Sequence, residues 1–250
     1  MSGAFQAALE TDGLIWLFAG ATLAGLVRGF SGFGNAMVYM PVAGAVLSPV
    51  WALTTMIVFD MIGPLPNARG ALRDGHGRDV LRLGTGAVIA LPAGVWALTR
   101  LEPDLFRWLV SLVALGLLAL LATGWRYHGT LSRQMIYSIG ALGGFLAGST
   151  GLAGPPVIML YMASRHGPAA IRANTLLFLL LADVLMLAVF GLNGLLEATP
   201  IVIGLMLALP YTLANMAGAV IFDPARERVY RIVAYVLVAA SAVMGLPLLD

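Results

Sequence analysis

The chain contains no cysteine and no lysine; all fourteen of its basic residues are arginine, and its three histidines, His76, His128 and His166, are scattered. Without cysteine, disulfides, iron–sulfur clusters and thiolate metal sites are excluded. Without an HExxH pair, a metalloprotease is not indicated. Charge is scarce too, at 10% of residues, where a soluble domain carries roughly 25%. The arginines sit in short stretches between apolar runs, with no basic cluster interleaved by aromatics. The sequence pI of about 9.2 therefore reflects loop arginines and not a nucleic-acid surface.

What is abundant is apolar surface and glycine: 60% hydrophobic residues, a mean hydropathy of +0.93 and 30 glycines. This composition belongs to an integral membrane protein. The apolar runs are continuous and lack the alternation of a barrel strand, so helices are the expected way to pair the backbone in lipid. The N-terminal MSGAFQAALETDG has no positive region before its apolar run, so that run is expected to be a mature helix and not a cleaved signal.

At about 20 apolar residues per crossing, the first half offers Leu14–Phe30, Ala36–Leu47, Val50–Leu65, Val80–Leu98 and Leu105–Trp125. The second half offers Met135–Ala147, Val157–Ala163, Ala169–Leu192, Pro200–Phe222 and Val229–Leu249. Ala36–Leu47 and the segment after Gly154 are too short to cross, reaching about 20 Å or less of a core about 30 Å thick. Each is expected as the return arm of a re-entrant hairpin, the alternative being a tilted crossing with a kink.

The halves are related. An offset of 119 lays Gly25, Gly29 and Gly32 of GLVRGFSGFGN on Gly144, Gly148 and Gly151 of GFLAGSTGLAG, and Pro49 on Pro168. Ala90-Leu91-Pro92 matches Ala208-Leu209-Pro210 at an offset of 118. Residues 1–125 and 126–250 are thus expected to be two transmembrane repeats of one transport domain, each with one glycine-rich break. Glycine reaches positive φ cheaply, so such a break can turn sharply and bare backbone N–H groups.

Loop arginines set the expected orientation. Arg69, Arg73, Arg78 and Arg82, Arg126 and Arg133, Arg165 and Arg172, and Arg226, Arg228 and Arg231 mark four cytoplasmic loops. The N-terminus with Glu10 and Asp12, the Asn193–Glu197 loop and Asp250 carry no arginine, which places both termini in the periplasm. Parity puts the mixed Arg100–Arg107 turn outside as well. An odd number of segments per half then inverts the second repeat, so Val50–Leu65 runs inward and Ala169–Leu192 outward. The expected fold is an all-α polytopic membrane protein of two inverted repeats, about five segments each, with a broken or re-entrant glycine-rich hairpin per repeat. Secondary transporters built this way bind substrate near the midplane, where broken elements meet.

Each break leads into a helix start, Ala36 in one half and Pro155-Pro156 in the other. Helix N-termini carry unpaired N–H groups and about half a positive charge, and two that face each other would hold an anion. Candidate ligands at these tips are Ser31, Gly32, Gly34, Asn35, Ser149, Thr150, Gly151 and Gly154. The alternative is helix–helix packing through glycine. Arg28 enters the first break from an apolar segment, at a cost of about 2.5 to 3.5 kcal/mol on insertion scales, and its fork suits an oxyanion. The alternative is that it snorkels to the interface or pairs structurally with an Asp. Asp60 and Asp183, on the third segment of each half, are candidates for carrying a coupled proton; the alternative is that they are neutralised by Arg28 or cap neighbouring groups. Asn174 is a further candidate substrate ligand. With Thr175, Tyr211 and Asn215, it either lines a pathway or bonds between helices. Trp16, Trp51, Trp96, Trp108 and Trp125 are expected to be interfacial anchors.

At Gly32-Phe33-Gly34-Asn35 through Pro41, and at Gly151-Leu152-Ala153-Gly154-Pro155-Pro156, the sequence resembles the TauE/SafE family of sulfite and organosulfonate exporters, over nearly the whole chain. Asn35 and Ala153 stand where that family usually has glycine. The resemblance implies movement of small sulfur oxyanions or sulfonates across a bacterial inner membrane, export more often than uptake. Combined with the residues, it gives an alternating-access transporter of a small anion such as sulfite or a C2 organosulfonate, surrounded by membrane lipid, with no nucleic-acid partner, cofactor or metal. The sequence is compatible with a homo-oligomer. A small-carboxylate permease on the same scaffold is the alternative. An intramembrane enzyme would need a nucleophile and base, and no core segment holds a histidine.

Overall fold

The apolar runs fold as helices, and glycine, proline and arginine mark their ends. The computed structural model describes residues 2–123, 131–162, 167–223 and 226–248, and among these there are twelve helices and no strand. They are α1 (Ser2–Leu9), α2 (Leu14–Ser31), α3 (Asn35–Val46), α4 (Pro49–Ile62), α5 (Leu65–Asp74) and α6 (Gly77–Leu98). After these come α7 (Pro103–Ala122), α8 (Arg133–Thr150), α9 (Gly154–Met162), α10 (Pro168–Leu192), α11 (Ala198–Ile221) and α12 (Glu227–Gly245). Arg126, Arg165, His128, His166, Trp125 and Asp250 lie outside the described residues.

The ten expected segments are α2 to α4 and α6 to α12, with ends moved by a few residues. Six of them, α2, α6, α7, α10, α11 and α12, are long and apolar enough to cross a membrane; α4 joins the count if it and α5 form one bent span. The helices α1 and α5 lie outside the expected set. The segment from Asn67 to Asp74 is bent 78° from α4, and its sequence, with Arg69, Arg73 and Asp74, is too polar to register as an apolar run.

Both breaks use the same backbone device. Gly32 has φ 79° and closes α2 by donating its N–H to the Arg28 carbonyl at 2.7 Å. Gly151 has φ 78° and closes α8 by donating to the Ala147 carbonyl at 3.0 Å. These left-handed C-caps, open to glycine without a Cβ penalty, stand 119 positions apart, the offset that aligns the two glycine-rich stretches. In the first break Gly34, with φ 88°, then starts α3.

The neighbours of the glycines show how the chain returns. Gly34 faces Val27, Gly20 faces Tyr39 and Val42, and Gly13 faces Val46. The residue numbers of the contacting positions fall along α2 as they rise along α3, so the two form an antiparallel hairpin with its tip at the break.

Two tight helix pairs hold the bundle. On α2, a methyl group at Gly25 would overlap the Tyr211 carbonyl and one at Gly29 the Asn215 carbonyl, both on α11. On α8, methyls at Gly140, Gly144 and Gly148 would overlap the α6 backbone at Leu83, Ala87 and Leu91. Small residues permit this approach, and in lipid close packing is a main source of helix association. In both pairs the residue numbers of the contacting positions rise together, so the helices are parallel. The arrangement is reciprocal: an early helix, α2, packs on a late one, α11, and α8 packs back on α6. The glycines that repeat along α2 and α8 therefore serve packing at Gly25, Gly29, Gly144 and Gly148, and turning at Gly32 and Gly151.

Candidate functional site

The two breaks meet. One buried cavity is bounded by Gly34 and Asn35 at the start of α3, Gly151 and Gly154 at the second break, Asp60 of α4 and Asp183 of α10. Gly34 gives α3 no side-chain cap, so the first N–H groups of that helix have no intrahelical partner. Its dipole end and that of α9 border the same space, whose remaining wall is apolar and includes Met56, Leu179 and Met186.

Asp60 is the centre of the polar structure. Its Oδ1 accepts from Arg28 Nη1 at 2.5 Å, from Asn35 Nδ2 at 2.8 Å and from the Tyr211 hydroxyl at 2.6 Å. Four helices thus converge on one oxygen: α4 supplies it, and α2, α3 and α11 supply the donors. Arg28, Asn35, Asp60 and Tyr211 are all buried. The Tyr211 ring is positioned by packing on Phe59 at a centroid distance of 4.6 Å, and Phe59 meets Tyr39 edge to face at 4.7 Å. Glycine makes the room: a methyl at Gly63 would overlap the Tyr211 ring, and one at Gly25 its carbonyl.

Asp183 is different. It is buried, and its Oδ2 has no hydrogen-bond partner among the described residues. Its neighbours along α10, Leu179, Ala182 and Met186, are apolar and border the same cavity. The site therefore contains one guanidinium, one carboxylate bonded to it and one carboxyl whose Oδ2 has no hydrogen-bond partner among the described residues. A buried charge without hydrogen-bond partners is costly, and among the described residues no donor offsets that cost at Asp183 Oδ2.

The structure brings Gly34, Asn35, Asp60, Gly151, Gly154 and Asp183 to the cavity, with Arg28 bound through Asp60. The others it does not bring there. The Ser31 hydroxyl lies 2.6 Å from both the Val27 and Phe33 carbonyls, and Ser31 borders a separate apolar pocket near Tyr235. Gly32 lies next to Arg172. Ser149 donates to the Phe145 carbonyl and Thr150 to the Leu146 carbonyl, one turn back on their own helix. Asn174 is buried where α10 passes the turn into α6, and its Oδ1 accepts from the His76 backbone N–H at 2.6 Å. Tyr211, one of several polar positions in the sequence, gains its role only from the approach of α11 to α2.

These features define a class: a multi-pass helical membrane protein whose buried, charged cavity is closed by two glycine-broken helices. The family follows from comparison with known proteins. The family model described as sulfite exporter TauE/SafE matches residues 17–244, and the chain belongs to that family. No curated protein and no solved structure matches it.

Proposed function

We propose that the protein is a secondary transporter, with export as its direction, for a small sulfur-containing anion such as sulfite or a C2 organosulfonate across the bacterial inner membrane. The observation that carries this reading is the convergence of Arg28, Asn35 and Tyr211 on one acidic oxygen, in a cavity bordered by two helix N-termini. Donors arranged around a negative oxygen suit an oxyanion, and helix N-termini add positive potential without a further charged side chain. Membership of a sulfite-exporter family supports the substrate class.

Alternating access between two inverted repeats, residues 1–125 and 126–250, is the transport mode. The reciprocal pairing of α2 with α11 and of α8 with α6 supports two related halves. The parallel sense of both pairs agrees with the arginine-based orientation, in which α2 and α11 run inward and α6 and α8 outward, leaving both termini periplasmic. Asp183, buried and unpartnered, is the group that takes up the coupled proton, while Asp60 holds Arg28.

A ligand panel on purified protein tests the reading, with sulfite, sulfoacetate, taurine, acetate and chloride followed by calorimetry or thermal shift. Saturable stabilisation by a sulfur anion, lost in Arg28→Ala, is the expected result. Stabilisation by acetate alone would move the substrate class to carboxylates, and no response to any anion would remove the reading.

A further inference from the structure

The donor set that suits an anion is already occupied, and its occupant belongs to the chain. Three donors share Asp60 Oδ1, yet a single carboxylate oxygen offers about two lone-pair positions. An oxyanion with three oxygens would accept from Arg28, Asn35 and Tyr211 separately. The donors come from three different helices, so the oxygen at their focus is a point where α2, α3 and α11 all place a donor.

The charges facing Asp60 reinforce this. Arg28 comes from α2, Asn35 from α3, Tyr211 from α11 and Asp183 from α10, while the second break contributes the small residues Ala147, Gly151 and Ala153 to the cavity wall. Asp60 and Asp183 are two acids to one guanidinium. An arriving anion therefore competes with Asp60 for the Arg28 Nη1 donor, the Asn35 amide and the Tyr211 hydroxyl.

We infer that the Asp60 carboxylate is a tethered stand-in for the substrate anion, holding Arg28, Asn35 and Tyr211 when the site is empty and displaced from them when substrate binds. This inference rests on the anion-transport reading above and adds an exchange to it. Arg28 is paired in both states, with the internal carboxylate in one and the external anion in the other. The buried guanidinium is never left alone while the protein changes conformation.

The test is sulfite binding to purified protein by calorimetry at one fixed pH, comparing the unsubstituted chain with Asp60→Asn. Removal of the competing charge should tighten sulfite binding by about tenfold or more, because the fraction of molecules with a free Arg28 no longer limits affinity. In proteoliposomes the same variant should retain sulfite–sulfite exchange and lose net efflux, since its empty form has nothing to return with on Arg28. Unchanged or weaker sulfite binding by a folded Asp60→Asn protein overturns the inference while leaving the transport reading intact. Saturable sulfite binding by neither protein overturns both.

A second measurement needs no substitution at Asp60. In protein labelled with 13C-aspartate, sulfite should shift an aspartate carboxylate band in the infrared difference spectrum as Asp60 is released, and the shift should survive in Asp183→Asn. Sulfite binding with no aspartate band moving, or a shift that vanishes in Asp183→Asn, overturns the inference.

Discussion

Arg28 on α2 and Asp60 on α4 form a buried ion pair, Nη1 to Oδ1 at 2.5 Å, with their side chains 5% and 4% exposed. Two charges at this depth hold each other in place, and neither has bulk water to replace its partner. Removing one should be far worse than removing both. Arg28→Ala or Asp60→Ala alone is expected to cost roughly 3–5 kcal/mol, because an uncompensated buried charge remains. The Arg28→Ala/Asp60→Ala double variant should recover much of that loss. Thermal unfolding of the four proteins in one detergent measures the cycle, and additive single losses would show that the pair is not coupled.

The glycines of the tight helix pairs predict a graded series. Gly25→Ala and Gly144→Ala place a methyl group into the backbone of the facing helix and should each destabilise by roughly 1–3 kcal/mol. Gly116, exposed on α7 with nothing within 4 Å of a built Cβ, is the control. Gly116→Ala should be neutral or stabilising, by up to about 1 kcal/mol, since alanine is the better helix former. Melting temperatures that do not separate these variants would contradict the close packing of α2 on α11 and α8 on α6.

At the two breaks, conformation and space can be told apart. Gly32 and Gly151 share a positive φ, but a methyl at Gly32 meets nothing nearer than 3.9 Å, whereas one at Gly151 presses on Met56 Cε at 2.9 Å and Met40 Cγ at 3.2 Å. Gly32→Ala should therefore cost about 1–2 kcal/mol from the left-handed conformation alone. Gly151→Ala should cost more than that. Equal losses in unfolding experiments would mean that the methionines yield freely.

How much of this was legible in the sequence depended on the range of the interaction. The ten apolar segments and the two breaks could be read because hydropathy and glycine spacing act locally, and the repeat offset brought Gly32 and Gly151 into one register. The helix α5 escaped because Arg69, Arg73 and Asp74 break its apolar pattern. Ser31, Ser149 and Thr150 looked like donors at the tips, but hydroxyls at the end of a helix can bond back to its own carbonyls, and all three do. Arg28 and Asp60 were each visible as buried charges. That they pair, and that Tyr211 joins them, depends on how α2, α4 and α11 cross, which no local pattern encodes.

Asp183 predicts a separation of binding from coupling. Its unpartnered carboxyl is the proposed proton carrier, and it makes none of the bonds that hold Arg28, Asn35 or Tyr211 to Asp60. Asp183→Asn should still bind sulfite, while sulfite flux in proteoliposomes should stop responding to an imposed proton gradient. A flux that follows the gradient as strongly as in the unsubstituted protein would assign the proton elsewhere.

The most direct measurement is efflux of radiolabelled sulfite from proteoliposomes, made with the unsubstituted protein and with Arg28→Ala matched for reconstitution. Transport through the Arg28 site predicts saturable efflux above protein-free vesicles in the first and background in the second. Equal efflux from both would contradict the role given to Arg28, and no efflux from the unsubstituted protein would contradict sulfite transport.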